Sequence, residues 1–169
     1  MWIFAYGSLI FRPGFPYLER RRAFVAGYAR RFWQGSPDHR GVPEAPGRVV
    51  TLVPLEGASC GGCAYRIDAH DAEGILATLD AREQAGFERR VVPLLDAPDG
   101  RAFADGTTWI ADRGNEHFLG PLPEPEIARV IRARRGPSGE NAEYALRLLS
   151  ALRDLDVVDE HVEQIAAHL

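Results

Sequence analysis

Lysine is absent from this 169-residue sequence: all twenty basic residues are arginine. That excludes a lysine nucleophile, a Schiff base and the lysine of a phosphate-binding P-loop. It also leaves arginine as the only basic side chain able to grip a carboxylate with two parallel hydrogen bonds. Cysteine is scarce. The pair Cys60 and Cys63 forms a CxxC with no further cysteine in the chain, so the remaining ligands of a zinc site are missing. A redox CxxC opens a helix, and here strand composition follows instead. No apolar run reaches the roughly 18–20 residues of a membrane span. No basic stretch precedes an apolar segment near Met1, so no signal peptide is expected and a reducing, cytoplasmic location is. The net charge of −4 argues against a broad nucleic-acid surface.

What is present is the composition of a soluble globular chain, 46% hydrophobic and 26% charged. Its length fits one domain, 1–169, with a sizeable core. The first informative stretch is Trp2-Ile3-Phe4-Ala5-Tyr6-Gly7-Ser8-Leu9. Its aromatic and β-branched start favours a buried strand. The strand stops at a small, Gly-containing turn, a form of backbone that presents bare N–H groups to something small and negative. Further strands are expected over Phe24–Gln34, Arg48–Val53, Cys63–Ile67, Arg89–Leu95 and Thr107–Ala111, with Gly61-Gly62 and Pro98-Asp99-Gly100 as turns. Gly35–Gly47 carries three prolines and three glycines and reads as a long loop, either solvated or the polar rim of a pocket.

One helix interrupts the strands, from Asp71 to Glu83, with Ile75, Leu76 and Leu79 on one face and Gly86 as its C-terminal cap. The last third is helical. Pro123 to Arg135 has acids in its first turn and arginines in its last. Ser138 is placed to cap a second helix through Leu152, and Val158, Val162, Ile165 and Leu169 form the stripe of a third. Strands first and helices last give an α+β architecture, with enough strands to close a small barrel.

Glu83 stands out among the titratable residues. Its spacing from Ile75 and Leu79 puts it on the buried face of its helix, at the C-terminal end, where the dipole disfavours negative charge. Both effects raise a carboxylate pKa toward the range of a general base. The alternative is a structural ion pair with Arg82, Arg89 or Arg90. Ser8 is no elbow nucleophile, because Ile10 stands where that motif requires glycine. Gly136-Pro137-Ser138-Gly139 lacks the lysine of a phosphate loop. The five histidines show no metal-ligand pairing, and His161 is expected to be solvated.

Four segments together resemble the ChaC family of glutathione-specific gamma-glutamylcyclotransferases. They are WIFAYGSLI (Trp2–Ile10), RRFWQGSPDHRGVPEAPGRVVTL (Arg30–Leu52), LDAREQAG (Leu79–Gly86) and GPSGENAEY (Gly136–Tyr144), in the family's order along nearly the whole chain. The resemblance implies a gamma-glutamylcyclotransferase-like small mixed β-barrel with flanking helices. It implies cleavage of glutathione to 5-oxoproline and cysteinylglycine. It also implies that the Tyr6-Gly7-Ser8-Leu9 turn binds the gamma-glutamyl moiety and that Glu83 is the general acid/base. The chain departs from the family at Pro37, where threonine is usual, and at Phe87 and Phe118, where tyrosine is.

In such a reaction the substrate's own α-amine attacks its γ-carbonyl. A single carboxylate of raised pKa can take the amine's proton and later deliver one to the leaving nitrogen. Backbone N–H donors of the Tyr6–Leu9 turn would meet the oxyanion, an effect typically worth about 3–4 kcal/mol. Arg40, Arg48 and Arg82 are candidates for the substrate carboxylates, and Gln34 and Tyr144 for polar pocket contacts. The alternatives are a cyclotransferase for other gamma-glutamyl amino acids or amines, and a non-catalytic module that binds a gamma-glutamyl ligand. The chemistry calls for no cofactor and no metal. A chelator is therefore expected to leave 5-oxoproline release unchanged, and inhibition reversed by added metal would overturn that expectation.

Overall fold

The computed structural model describes every residue from Met1 to Leu169. The opening apolar run becomes β1 (Trp2–Ala5), followed by a single 3₁₀ turn at Ser8–Ile10. Two long strands, β2 (Glu19–Ser36) and β3 (Gly47–Arg66), then pair antiparallel along nearly their whole lengths. The helix α1 (Ala72–Arg82) leads into the antiparallel pair β4 (Phe87–Leu95) and β5 (Ala102–Ala111). The strand order β1-β3-β2-β4-β5 closes on itself, because β1 also pairs in parallel with β5 through Trp2 and Ile3. Closure leaves the sheet no free edge, so the small mixed barrel expected from the sequence is the scaffold.

The C-terminal third is α2 (Glu124–Arg132), a short hairpin of β6 (Arg135–Gly136) and β7 (Gly139–Glu140), α3 (Asn141–Arg153) and α4 (Glu160–Ala166). Ile127 and Ile131 of α2, Leu148 and Leu152 of α3, and Val162 and Ile165 of α4 join the same core as Phe4, Phe32 and Leu52 of the barrel. The helices therefore cover one side of the barrel and share its core.

Several local expectations are corrected. Arg48–Val53 and Cys63–Ile67 belong to one continuous strand, and Gly61-Gly62 is not a turn. The glycines are there for space: a Cβ on Gly61 would lie 2.6 Å from Val157 Cγ1, and one on Gly62 would lie 2.3 Å from the carbonyl oxygen of Ala5. Cys60 and Cys63 are free and buried on that strand, and burial pushes the Cys60 thiol up to about 11. Gly86 is not the cap of α1. Glu83 itself ends the helix, its N–H donating to the Leu79 carbonyl at 2.8 Å, and the positive φ angles of Ala85 and Gly86 turn the chain into β4. Ser138 caps nothing; it sits in the β6–β7 turn, and α3 begins at Asn141. Val158 lies outside α4 and is exposed, while Asp159 caps that helix by accepting the Val162 N–H at 3.2 Å. His161 is buried, not solvated: its Nε2 accepts the Phe32 N–H at 3.0 Å, and its Nδ1 bonds Glu124 Oε1 at 3.0 Å.

Arg30, on β2, is fully buried. Its Nε donates to the Tyr6 carbonyl at 2.7 Å, its Nη1 to Asp159 Oδ2 at 2.7 Å, and its Nη2 to the Gly61 carbonyl. One guanidinium thus joins the end of β1, the middle of β3 and the start of α4. Removing the partner of a buried charge costs about 3–5 kcal/mol, so Asp159→Ala is expected to lower the urea midpoint by a matching amount. An unchanged midpoint would mean that the two carbonyls suffice for Arg30.

Candidate active site

The four segments singled out in the sequence surround one cavity of ≈ 380 Å³. Its walls include Tyr6-Gly7-Ser8-Leu9, the Ser36–Arg40 loop, Arg82-Glu83 with Phe87 beyond them, and Ser138 with Tyr144. The N–H groups of Gly7, Ser8 and Leu9 make no hydrogen bond within the chain. They are the first-turn donors of the 3₁₀ segment, which have no intrahelical acceptor. Tyr6 is fixed from both ends, its carbonyl held by Arg30 and its hydroxyl donating to the Trp109 carbonyl at 2.6 Å. Gly7 lies against Tyr144: a Cβ there would stand 3.2 Å from the phenol oxygen. Burial raises the Tyr144 pKa above its ordinary value, so its hydroxyl stays neutral.

Glu83 is brought to this cavity by the docking of α1. Asp80, one turn earlier, accepts from Trp109 Nε1 at 2.8 Å and from Arg89 Nε at 3.1 Å, anchoring the helix to β5 and β4. Arg89 is therefore engaged elsewhere, and Arg90 pairs with Glu88 and Asp112. The ionic neighbour of Glu83 is Arg82, with Nε 3.5 Å from Oε1. Only 19% of the Glu83 side chain is exposed, and its carboxylate accepts no hydrogen bond from the chain. Burial raises its pKa; Arg82 and then His39 pull it down, and Asp38 pushes it up. Glu83 thus has the cationic partner of the ion-pair reading and still lines the cavity.

The other site expectations divide. Arg40 lines the cavity, its Nη1 donating to the Glu140 carbonyl at 3.0 Å and standing 3.6 Å from Glu143 Oε2. Arg82 also lines it, but its guanidinium is spent on the chain: Nη1 donates to the Arg12 carbonyl at 3.0 Å and Nη2 to Ser8 Oγ at 3.1 Å. Arg48 is not a pocket residue. Its Nη1 donates to the carbonyls of Phe32 and Gly120, both at 2.9 Å, so its guanidinium is spent on the chain. Gln34 does not line the cavity either. It is fully buried, its Nε2 donating to the Ala85 carbonyl at 2.7 Å, where it braces the turn after Glu83. Both positions were legible as polar residues in strands, but which face they take depends on β-bulges in the β2–β3 register. Sequence reasoning passed over Arg12, His39 and Ser138, which also line the cavity. The polar density of Gln34–Arg40 was the only signal for His39, and Arg12 had none.

A buried carboxylate of raised pKa, facing unpaired N–H donors across a small cavity, is the arrangement of an acid–base site for a small polar substrate. The family follows. The chain belongs to the ChaC-like proteins, whose family model matches residues 1–169. A human relative, "Glutathione-specific gamma-glutamylcyclotransferase 1", is 42% identical, with 98% of this chain and 76% of the relative covered. An Arabidopsis thaliana relative, "Gamma-glutamylcyclotransferase 2-3", is 39% identical over 98% of this chain and 86% of its own. Among solved structures, the yeast gamma-glutamyl cyclotransferase specific to glutathione superposes with a TM-score of 0.87 at 30% identity, covering 99% of this chain and 96% of that one. It supports the same barrel with flanking helices.

The raised Glu83 pKa carries a definite sign. The folded state holds a proton on Glu83 that the unfolded chain has already released. Stability from this group is therefore present at and below the ordinary value of 4.5 and is lost as pH rises through the folded-state value. Glu83→Gln is expected to remove that loss and to be at least as stable as the wild type at neutral pH. Arg82→Gln is expected to move the Glu83 carboxyl carbon titration further upward. Titration of Glu83 at its ordinary value in the wild-type protein would contradict the assignment.

Proposed function

We propose that this chain is a glutathione-specific gamma-glutamylcyclotransferase, a single domain spanning 1–169 that converts glutathione to 5-oxoproline and cysteinylglycine. The observation that carries the reading is Glu83, a carboxylate of raised pKa in the cavity that also holds the free N–H groups of Gly7, Ser8 and Leu9. The names of the 42% identical human relative and of the superposable yeast enzyme supply the substrate.

The chemistry fits the residues present. The α-amine of the gamma-glutamyl group must lose a proton to attack its own γ-carbonyl, and Glu83 is the base that takes it. The oxyanion that forms is met by the Gly7–Leu9 donors, fixed before the substrate arrives and so at no reorganisation cost. Closing a five-membered ring requires the chain to be held curled, a positioning gain that the cavity walls provide. Tyr144 borders the turn at Gly7 and adds a neutral hydroxyl there. Arg82 acts as a positioning residue between Ser8 and Glu83. The arginines left for the substrate's carboxylates are Arg40 and Arg12, and Arg12 makes no ion pair in the chain. No helix is long and apolar enough to cross a membrane. The two free thiols fit a reducing, cytoplasmic setting.

Glu83→Gln is expected to fold, to give an unchanged circular dichroism spectrum, and to lose about 10²–10⁴-fold in kcat for 5-oxoproline release. Near-normal release by that variant would remove Glu83 from the mechanism. Wild-type protein assayed with glutathione and with gamma-glutamylalanine is expected to prefer glutathione. Equal rates would move the function to the wider class of gamma-glutamyl compounds. Binding of glutathione without release would leave a binding module.

A further inference from the structure

The cyclisation involves two proton transfers at two different nitrogens, one attacking and one leaving. Glu83 stands at one wall of the cavity. Another titratable side chain lining the same cavity, beside Asp38 and the buried Tyr6 and Tyr144, is His39. Its imidazole is 52% exposed and therefore within reach of a bound molecule. Nδ1 is engaged with Ser138 Oγ at 3.0 Å. Nε2 lies 3.8 Å from Asp38 Oδ2, too far for a hydrogen bond, so it has no partner in the chain.

The backbone that carries His39 is locked. Its carbonyl accepts the Ser138 N–H at 2.9 Å, and the next residue, Arg40, donates its N–H to Ser36 Oγ at 3.0 Å. Two loops distant in sequence cross here with no room for side chains. A Cβ on Gly136 would lie 2.4 Å from the His39 carbonyl oxygen, and one on Gly41 would lie 2.1 Å from the Gly47 nitrogen. A solvated loop has no need of such packing. A loop that aims one imidazole does.

We propose that His39 is a second proton-transfer residue of this site, donating from Nε2 to the departing amide nitrogen while Glu83 takes the proton of the attacking amine. The inference rests on the cyclotransferase reading. In the step, the α-amine nitrogen forms its bond to the γ-carbon and its proton passes to Glu83. The bond from that carbon to the cysteinyl nitrogen then breaks, its electron pair takes the Nε2 proton, and a neutral amine leaves. His39 is left as neutral imidazole, still bonded to Ser138. Glu83 returns its proton to His39 through solvent, so the cycle is neutral in protons. Electrostatic coupling of His39 to Glu83 agrees with their sharing one cavity.

The test uses glutathione and the intact protein. His39→Ala is expected to lower kcat by about 10²-fold, with KM little changed. Because the site is open at that wall, added imidazole should restore part of the rate in proportion to its concentration. Ser138→Ala keeps the backbone bond to His39 and removes only the hydroxyl, so it should give a smaller fall in kcat that imidazole does not affect. A loss confined to KM in His39→Ala would make His39 a binding residue and overturn the proposal. So would a kcat loss that imidazole leaves untouched, or wild-type kcat in both variants. A wild-type protein that releases no 5-oxoproline would take this inference down together with the reading it rests on; an active wild type with unrescued His39→Ala sinks this one alone.

Discussion

The Arg30 guanidinium, buried without water access, is the interaction on which the rest of this structure depends. Taking a full charge into the barrel wall is expensive, and the cost is offset where each nitrogen finds an acceptor in place. Arg30 finds three: the Tyr6 carbonyl at the exit of β1, the Gly61 carbonyl on β3 and the Asp159 carboxylate at the start of α4. A planar fork can serve three acceptors in fixed directions, and a lysine ammonium could not reproduce that geometry. The Tyr6 bond has the functional consequence. The residue at which β1 gives way to the N–H turn is pinned from below, so Gly7, Ser8 and Leu9 are held with their donors unsatisfied instead of relaxing toward a chain acceptor.

The opposite wall is built by a different device. Asp80 ties α1 to β4 and β5, so the helix C-terminus arrives at the cavity at a fixed height. Glu83 is the residue at which the helix ends, and two unfavourable effects meet there. The helix dipole opposes its charge, and the cavity withholds solvent. Arg82 offsets part of that, and the same guanidinium reaches Ser8 on the facing turn. The Glu83 carboxylate and the Gly7–Leu9 turn are thereby linked by a single side chain. A loop carrying Glu83 alone would have no such constraint.

The strands and the helical covering were legible in the sequence, because period and composition report which residues are buried; the closed barrel and the four pocket segments were legible only through the resemblance to the ChaC family. What was not legible has a common physical cause. Gly61 and Gly62 read as a turn since glycine pairs usually permit one, yet their role is to let Val157 and Ala5 approach. Arg48 and Gln34 read as pocket residues since polar groups in strands need a reason to be there. Their reason is internal: they satisfy carbonyls of the loops after β5 and α1. His161 read as solvated since its partners, Phe32 and Glu124, lie far away in the chain. In each case the deciding contact is long-range, and no local pattern encodes it.

The electrostatics of the cavity show why a chain of net charge −4 can hold an anionic substrate. Charge at a site is a local quantity, and three arginines, Arg12, Arg40 and Arg82, border this one. They are not equivalent. Arg82 is paired with Glu83 and held by two backbone carbonyls and the Ser8 hydroxyl, which suits a strut. Arg40 is shared with Glu143, an acid half exposed on α3, so it keeps part of its field for the cavity. Arg12 lies at the mouth on an exposed loop with no acid beside it. The three differ in how far their charge is already answered, from unpaired Arg12 through Arg40 to Arg82 beside Glu83. The charge nearest to Glu83 is the one most fully answered, which leaves the other two arginines to set the field of the cavity.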